Sequence, residues 1–179
     1  MAITIRLAAM EDVPTLQELI AASVRGLSLP YYSAREIDSA LMHIFGVDRQ
    51  LVHDATYFVA EIGGQIVGCG GWSKRKTLFG GDQAHSVRVD ELLNPETDAA
   101  RVRAFYVHPR WSRRGIGREL LKACEEAASK SGFTGLELIA TLPGEPLYSA
   151  QGYEKIGPFE IPLPEGISLP AVHMKKNLA

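Results

Sequence analysis

Apolar and polar residues alternate at the start of the chain, and after this segment the apolar residues recur at helical spacing. The apolar residues of positions 3–7 share one face of a short strand, because successive strand side chains point to opposite sides. A helix is predicted to begin near Pro14, since proline fits the first helical turn, and to end at Gly26. Ser33 is then predicted to cap a second helix over residues 34–45.

The middle of the chain predicts a hairpin followed by an irregular segment. Residues 56–62 are rich in β-forming side chains, and Gly63-Gly64 tolerates the positive φ of a two-residue turn. The return strand covers residues 65–72. Residues 74–99 show no regular period, which predicts a long loop of the kind that is often functional in compact domains.

The second half of the chain alternates strands and helices. The predicted elements are a strand over Arg101–Val107, a helix over Gly115–Ser131, a strand over Leu136–Thr141, a short helix over Glu145–Gln151, and strands over 153–160 and 169–175. The resulting order is β-α-α-β-β-β-α-β-α-β-β, which predicts an α/β fold with a mixed sheet flanked by helices. The length predicts a single domain over residues 1–179.

Composition narrows the classes of function. Apolar residues make up 46% of the chain and the net charge is −2, which suits one ordinary core and gives no overall field to attract nucleic acid. Cys69 and Cys124 form no disulfide framework, and the five histidines have no metal-ligand spacing, so we expect no metal and a cytoplasmic protein. We find no signal-peptide core and no membrane-spanning run.

The most informative segment is the turn over residues 107–118, which joins a strand to a helix. The first turn of a helix has unpaired N–H groups and a partial positive charge. Gly115 and Gly117 present no side chain that would keep an anion away from those groups. Three arginines add positive charge: Arg113, Arg114 and Arg118. The turn therefore predicts a pyrophosphate site, with a solvated basic helix start as the alternative.

Other phosphate-binding patterns are excluded. The dinucleotide fingerprint fails because position 120 is leucine, and no Gly-x-x-x-x-Gly-Lys-Ser/Thr loop is present.

Two segments resemble those of one known family. Residues 105–121, Phe-Tyr-Val-His-Pro-Arg-Trp-Ser-Arg-Arg-Gly-Ile-Gly-Arg-Glu-Leu-Leu, resemble the acyl-CoA-binding motif of GNAT-superfamily N-acetyltransferases. Residues 147–153, Leu-Tyr-Ser-Ala-Gln-Gly-Tyr, resemble the helix-to-strand motif of that family. The element order also matches, so the resemblance covers nearly the whole chain and implies a GNAT-like acyl-CoA N-acyltransferase fold with acetyl-CoA as co-substrate.

The resemblance also implies which residues bind the co-substrate. The backbone of residues 105–107 would pair with the pantetheine arm, and the N–H groups of residues 113–118 would hold the pyrophosphate. The family often has Gln or Arg where this chain has Ser112, and it often has an Asn within the stretch that corresponds to residues 141–146. The implied cofactor-binding residues are Phe105, Tyr106, Val107, Ser112, Arg113, Arg114, Gly115, Ile116, Gly117 and Arg118.

Acetyl transfer to an amine needs a neutral nucleophile, a stabilised oxyanion and a proton donor for the leaving thiolate. By resemblance, Tyr148 occupies the position of the family's acid. A phenol has an unperturbed pKa of about 10, above that of a thiol, so Tyr148 is protonated at neutral pH. The alternative is a buried tyrosine that packs a helix on the sheet. A backbone N–H of residues 105–107 would meet the oxyanion.

The general base stays open at this point. Many relatives have a carboxylate on the strand before the first motif, where this chain has Arg101 and Arg103. Arginine cannot accept a proton, so these side chains would either attract an acidic substrate or solvate an exposed strand face. The remaining candidates are Glu61, Asp98, Glu137 and His108, with loss of the proton to water as an equal alternative.

Two hypotheses of function remain. The first is an enzyme that acetylates a small primary amine or a peptide amine, with Tyr31, Tyr32 and Trp72 as candidates for the acceptor pocket. Ordinary packing of those three side chains is the alternative. The second hypothesis is a sensor or regulatory module that binds acetyl-CoA with little turnover. The C-terminal hairpin strands, 153–160 and 169–175, are candidate edges for a homodimer.

Overall fold

Within residues 1–178, which the computed structural model describes, the chain forms seven strands and five α-helices. The strands are β1 (Thr4–Leu7), β2 (Tyr57–Ile62), β3 (Gln65–Ser73), β4 (Ala100–Val107), β5 (Gly135–Thr141), β6 (Glu154–Pro162) and β7 (Ser168–Asn177). The helices are α1 (Val13–Ser28), α2 (Ala34–His43), α3 (Arg49–His53), α4 (Ile116–Lys130) and α5 (Glu145–Ala150). The mixed α/β fold predicted from the sequence is confirmed, with α3 as an added short helix.

The strands form one mixed sheet in the order β1-β2-β3-β4-β5-β7-β6. Every neighbouring pair is antiparallel except β4 and β5, which are parallel. The β4–β5 register joins Ala100 to Leu136 and Arg101 to Glu137 at the amino-terminal ends of the two strands. Beyond these pairs the two strands separate, and a gap opens in the middle of the sheet.

Helices cover both faces of the sheet. Val59 of β2 packs in the cluster that contains α1, whereas Ala60 packs in the cluster that contains Leu120 of α4. Because successive strand residues point to opposite sides, α1 and α4 lie on opposite faces, called here the α1 face and the α4 face. Leu120 is fully buried, and burying a leucine stabilises the fold by about 1.5–3 kcal/mol.

The predicted capping of α2 by Ser33 is confirmed. Ser33 Oγ accepts from the Glu36 backbone N–H at 3.1 Å, and Glu36 Oε1 accepts from the Ser33 N–H at 2.8 Å. This reciprocal pair satisfies two backbone donors at the helix start. The predicted turn at Gly63-Gly64 is also confirmed, since φ is 58° at Gly63 and 79° at Gly64.

The predicted end of α1 at Gly26 is wrong. The helix continues to Ser28, so the glycine lies inside its last turns. A Cβ at Gly26 would lie 2.5 Å from Pro109 Cγ. The glycine therefore permits close packing of α1 against the turn that follows β4, a tertiary reason that the sequence pattern does not reveal.

Residues 74–99 lack regular strands, as predicted, but their two sides are joined. Backbone hydrogen bonds link Lys76 N to Glu91 O (2.9 Å), Thr77 N to Val89 O (3.0 Å) and Leu93 N to Lys74 O (2.8 Å). At the tip, Gly81 donates its N–H to Ile44 O at 2.7 Å. The segment therefore brings residues 78–81 against the end of α2.

The prediction that both C-terminal strands form an edge needs a correction. β7 lies between β5 and β6, so β6 alone is the outer strand of the hairpin. β6 carries Pro158 and Pro162, which have no N–H to donate to another strand. No helix within residues 1–178 is both long and apolar enough to cross a membrane.

Candidate active site

A cavity of about 800 Å³ opens where β4 and β5 separate. Residues 102–107 of β4 line one side, and residues of β5 and α5 line the other. The turn before α4 closes one end of the cavity, while α1 and residues 78–81 border the other. The gap in the sheet thus connects the start of α4 to the α1 face.

Local geometry directs the turn before α4 toward this cavity. Gly115 is the N-cap residue of α4, with φ 84°, a left-handed conformation that glycine adopts without strain. The Glu119 N–H makes the first helical hydrogen bond, to Gly115 O at 3.1 Å. The preceding N–H groups have no partner inside the helix, so this end of the cavity suits an anion.

The structure gives Gly117 a second role beside the one expected from the sequence. A Cβ at this position would lie 2.8 Å from Leu147 Cδ2. Gly117 therefore admits Leu147 of α5 against the first turn of α4, in addition to leaving the turn open. A substitution at Gly117 would disturb this packing, so it is a poor test of anion binding.

The three arginines of the turn have different surroundings. Arg113 and Arg118 line the cavity and are exposed to solvent. The guanidinium of Arg114 stacks over the Trp111 ring, 4.9 Å from its centroid, and Arg114 does not line the cavity. Two of the three arginines, Arg113 and Arg118, therefore line the cavity beside the start of α4.

The Arg118→Glu variant is expected to raise the Kd for acetyl-CoA by about 10- to 100-fold. Hydrogen bonds to charged groups contribute about 1.5–3 kcal/mol, and each 1.4 kcal/mol is about a factor of ten. Lys122→Glu, one turn further along α4, makes the same change of charge on an exposed residue outside the cavity lining. Calorimetric titration should show less than about a threefold effect for this control. Equal weakening by both variants would contradict a local contact at Arg118.

A bulge in β4 shapes the cavity wall. Gly71 pairs with Arg103 and Cys69 pairs with Tyr106, so two residues of β4 lie opposite one residue of β3. Ala104 at the bulge has φ 55°, and its carbonyl accepts a hydrogen bond of 2.8 Å from the Tyr57 hydroxyl. A bulge leaves an extra residue outside the ladder, and residues 104–107 all line the cavity.

Tyr148 of α5 lies at the gap between the strands. It is 7% exposed, and its ring makes edge-to-face contacts with Phe105 (6.1 Å between centroids) and Tyr153 (5.8 Å). Burial raises the pKa of the Tyr148 phenol above its ordinary value, because the phenolate would lose hydration. The hydroxyl therefore stays protonated at and well above neutral pH.

One of the three aromatic residues predicted for the acceptor pocket lines the cavity. Tyr31 follows α1 and is 49% exposed at the cavity wall. Tyr32 is buried, donates to Pro170 O at 2.6 Å and accepts from Leu142 N at 2.9 Å, so its hydroxyl joins β5 to β7. Trp72 is buried against Phe133. Tyr32 and Trp72 are therefore corrected to structural residues.

Both expectations for the arginines of β4 are wrong. Arg103 is 3% exposed and donates to Asp48 Oδ2 at 2.9 Å, to Thr77 O at 3.3 Å and to Gly80 O. Arg101 pairs with Glu137 on the neighbouring strand. Neither side chain extends into solvent from an exposed strand face, and neither is free to bind a substrate carboxylate.

The four candidate bases lie away from the cavity. Glu61 pairs with Arg6 at 2.8 Å, and Asp98 accepts from the Asn94 N–H at 2.7 Å. Glu137 also contacts His173 Nε2 at 2.8 Å, and His108 Nδ1 accepts from the Arg110 N–H at 3.2 Å. Within residues 1–178, no Asp, Glu or His lines the cavity.

Sequence reasoning missed several apolar residues of the site. Phe45 follows α2, Phe79 lies at the tip of the irregular segment, and Ile139 lies on β5. The β5 alternation places Ile139 on the α1 face, but no local signal places the two phenylalanines. Among the described residues, no group of three metal-ligating side chains is found.

Comparison with known families decides which proteins this chain is related to. The family profile of the acetyltransferase (GNAT) domain matches residues 53–155, which is more than half of the chain. The chain belongs to the GNAT acetyltransferase family. This GNAT protein is an acetyl-CoA-dependent N-acetyltransferase, as the two sequence motifs predict.

Solved structures support the fold of this GNAT protein. A GCN5-related N-acetyltransferase from Rhodopseudomonas palustris superimposes with a TM-score of 0.72 at 20% identity, covering 99% of this chain and 97% of that one. PaiA N-acetyltransferase from Thermoplasma acidophilum, in complex with coenzyme A, gives 0.68 at 16% identity, covering 99% of both chains. YncA from Salmonella typhimurium, with its cofactor acetyl-CoA, gives 0.65 at 17%, covering 100% and 95%. Among curated proteins, no sequence matches this chain.

The residues of the cavity fit acetyl-CoA. The left-handed Gly115 opens the start of α4 to an anion, two arginines flank it, and the gap between β4 and β5 leads from there to Tyr148. The co-substrate is acetyl-CoA, as expected from the motifs. The sequence-predicted residues that line the cavity are Tyr31, Phe105, Tyr106, Val107, Ser112, Arg113, Gly115, Ile116, Gly117, Arg118 and Tyr148.

Proposed function

We propose that this GNAT enzyme transfers the acetyl group of acetyl-CoA to the nitrogen of a small primary amine or a peptide amine, with Tyr148 as the proton donor. One observation carries the proposal: a buried, protonated phenol lies at the gap between β4 and β5, in the same cavity as the start of α4. A proton donor beside the leaving sulfur is of use in acyl transfer and has no role in simple binding.

Binding would use the backbone more than side chains. The N–H groups of residues 113–118, with Arg113 and Arg118, would hold the pyrophosphate. The edge of β4 at residues 105–107 would pair with the pantetheine arm as an added strand does. When bound, acetyl-CoA supplies an acetyl group activated as a thioester. A backbone N–H near the β4 bulge would stabilise negative charge on the acetyl oxygen.

Tyr148 keeps its proton on Oη until negative charge develops on the leaving sulfur. Burial disfavours a phenolate, and the same burial raises the proton affinity of a thiolate formed beside it. The acceptor nitrogen forms a bond to the acetyl carbon while the carbon–sulfur bond breaks. The nitrogen gives up one proton to water, and sulfur receives one from Tyr148, which is then reprotonated from solvent.

The alternative function is a module that binds acetyl-CoA with little turnover. The lack of any Asp, Glu or His in the described cavity lining favours it, because no side chain there can take the amine proton. The presence of Tyr148 in the gap favours the enzyme, since a binding module has no need of an acid there.

Titration and thiol release separate the two functions. We expect acetyl-CoA to bind with a Kd on the order of micromolar, which corresponds to a binding free energy of about −8 kcal/mol. Free acetate and NAD are expected not to bind. We also expect thiol release when an amine panel is added to protein and acetyl-CoA. Binding without amine-dependent thiol release would establish the sensor instead. If acetyl-CoA does not bind, the turn at residues 113–118 is only a basic helix start and not a pyrophosphate site.

A further inference from the structure

The charges that line the cavity are all of one sign. Within residues 1–178, the charged side chains of the lining are Arg103, Arg113 and Arg118. Arg113 and Arg118 lie at the phosphate end, before and in the first turn of α4. An acceptor that enters from the α1 face therefore meets no negative side chain, and a cationic acceptor would have no counter-ion there.

The acceptor end is the part of the cavity that α1 and residues 78–81 border. Among the described residues, Arg103 is the one charged residue of the lining there, and it is already neutralised. Asp48, itself 1% exposed, holds it at 2.9 Å, and the carbonyls of Thr77 and Gly80 accept two further hydrogen bonds. Asp48 is fixed in turn by Arg88 at 3.3 Å. These contacts leave Arg103 poorly placed to bind a carboxylate, so the acceptor end of the cavity gives an acidic acceptor no partner either.

The remaining surface at the acceptor end carries no charge and is mostly apolar, with several aromatic rings beside the hydroxyls of Ser23, Ser28 and Tyr31. Phe45 meets Tyr106 edge-to-face at 6.3 Å between centroids, and Phe79 borders the same space. Ile139 and Ile161 line it from β5 and β6. Binding of an apolar body to such a surface is favourable, by about 25 cal/mol for each Å² of apolar surface removed from water.

We propose that the acceptor binds as the neutral free amine on an apolar body of aromatic size, without a second charged group. This inference rests on the proposed acetyl transfer. Burying an ammonium ion without a counter-ion is costly, so the site selects the deprotonated form. At pH 7 about one α-amine in ten is neutral, against about one in 2,500 lysine-like amines. Amines with a pKa close to neutral are therefore the preferred acceptors.

A pH profile with two acceptors that share a phenyl ring tests this proposal. Phenylalaninamide carries an α-amine with a pKa of about 8, and phenethylamine carries an alkyl amine with a pKa of about 10. We expect kcat/KM to rise with pH along each acceptor's own ionisation, so the two apparent pKa values differ by about two units. Rates per neutral molecule should agree within about tenfold. A single apparent pKa for both acceptors would reveal a protein base and overturn the proposal.

The acceptor panel includes a dication and an acid as well. At pH 7.5, and compared per neutral amine, 1,5-diaminopentane and glutamate should each show kcat/KM at least about tenfold below that of phenylalaninamide. Efficient acetylation of either one would overturn this inference while leaving acetyl transfer established. Absence of thiol release with every member of the panel would overturn both.

A new carboxylate in the cavity should change the preference. Thr141 lines the cavity from β5, on the same strand face as Ile139. Thr141→Asp is expected to raise the kcat/KM ratio of 1,5-diaminopentane to phenylalaninamide by about tenfold or more, because it supplies a counter-ion. Thr134→Asp makes the same change at an exposed residue before β5 and should leave the ratio unchanged. An unchanged ratio in folded Thr141→Asp protein would count against the proposal.

Discussion

The Tyr148→Phe variant is expected to lower kcat by about 100-fold or more, while the Kd for acetyl-CoA changes by less than about threefold. The ring is held by edge-to-face packing on Phe105 and Tyr153, which phenylalanine preserves. The variant thus removes the proton donor and little else. Thiol release and calorimetric titration on the same preparation would measure the two quantities.

Tyr153→Phe is the matched control. Its ring lies 5.8 Å from that of Tyr148, and among the described residues its buried hydroxyl has no hydrogen-bond partner. Removing an unsatisfied buried hydroxyl should leave kcat unchanged and leave the melting temperature equal or higher. Similar losses of kcat in both variants would show that packing near α5, and not the proton of Tyr148, limits turnover. An unchanged kcat in Tyr148→Phe alone would remove its assignment as the acid.

Local signals explain how the sequence predicted the central part of the site. A β-rich run, a turn with proline and glycine, and an apolar stripe at helical spacing follow one another over residues 101–131. Each of these is decided by residues close in the chain. The capping of α2 by Ser33 and Glu36 is of the same kind. Backbone geometry that depends on neighbours in sequence could therefore be predicted.

Contacts between distant residues could not be predicted. Gly26 resembles a helix end, yet its role is close packing on Pro109, 83 positions away in the chain. α3 spans five residues, too few for a helical period to be recognised. Nothing in the alternation of β4 indicates that Arg103 is buried, since its partner Asp48 lies 55 positions earlier. The composition of the acceptor end depends on such distant contacts, so the sequence did not reveal it.

The Asp48→Asn variant is expected to destabilise the fold by about 3–5 kcal/mol, because it leaves the buried guanidinium of Arg103 without a counter-ion. A chain of this size loses about 2–4 °C of melting temperature per kcal/mol, so thermal unfolding should shift by about 10 °C. Asparagine can still accept the hydrogen bond that Gln50 N–H donates to Asp48 Oδ1 at 3.0 Å. The effect therefore reports the charge and not the start of α3.

Asp38→Asn provides the surface comparison. It breaks the Arg25–Asp38 pair, whose side chains are 60% and 62% exposed, and should cost less than about 1 kcal/mol. Arg103→Met should cost less than Asp48→Asn, because Asp48 keeps Arg88 as a partner. If the uncompensated guanidinium causes the loss, adding Arg103→Met to Asp48→Asn will restore part of the stability. A double variant less stable than Asp48→Asn would instead show that Arg103 stabilises the cavity wall through the carbonyls of Thr77 and Gly80.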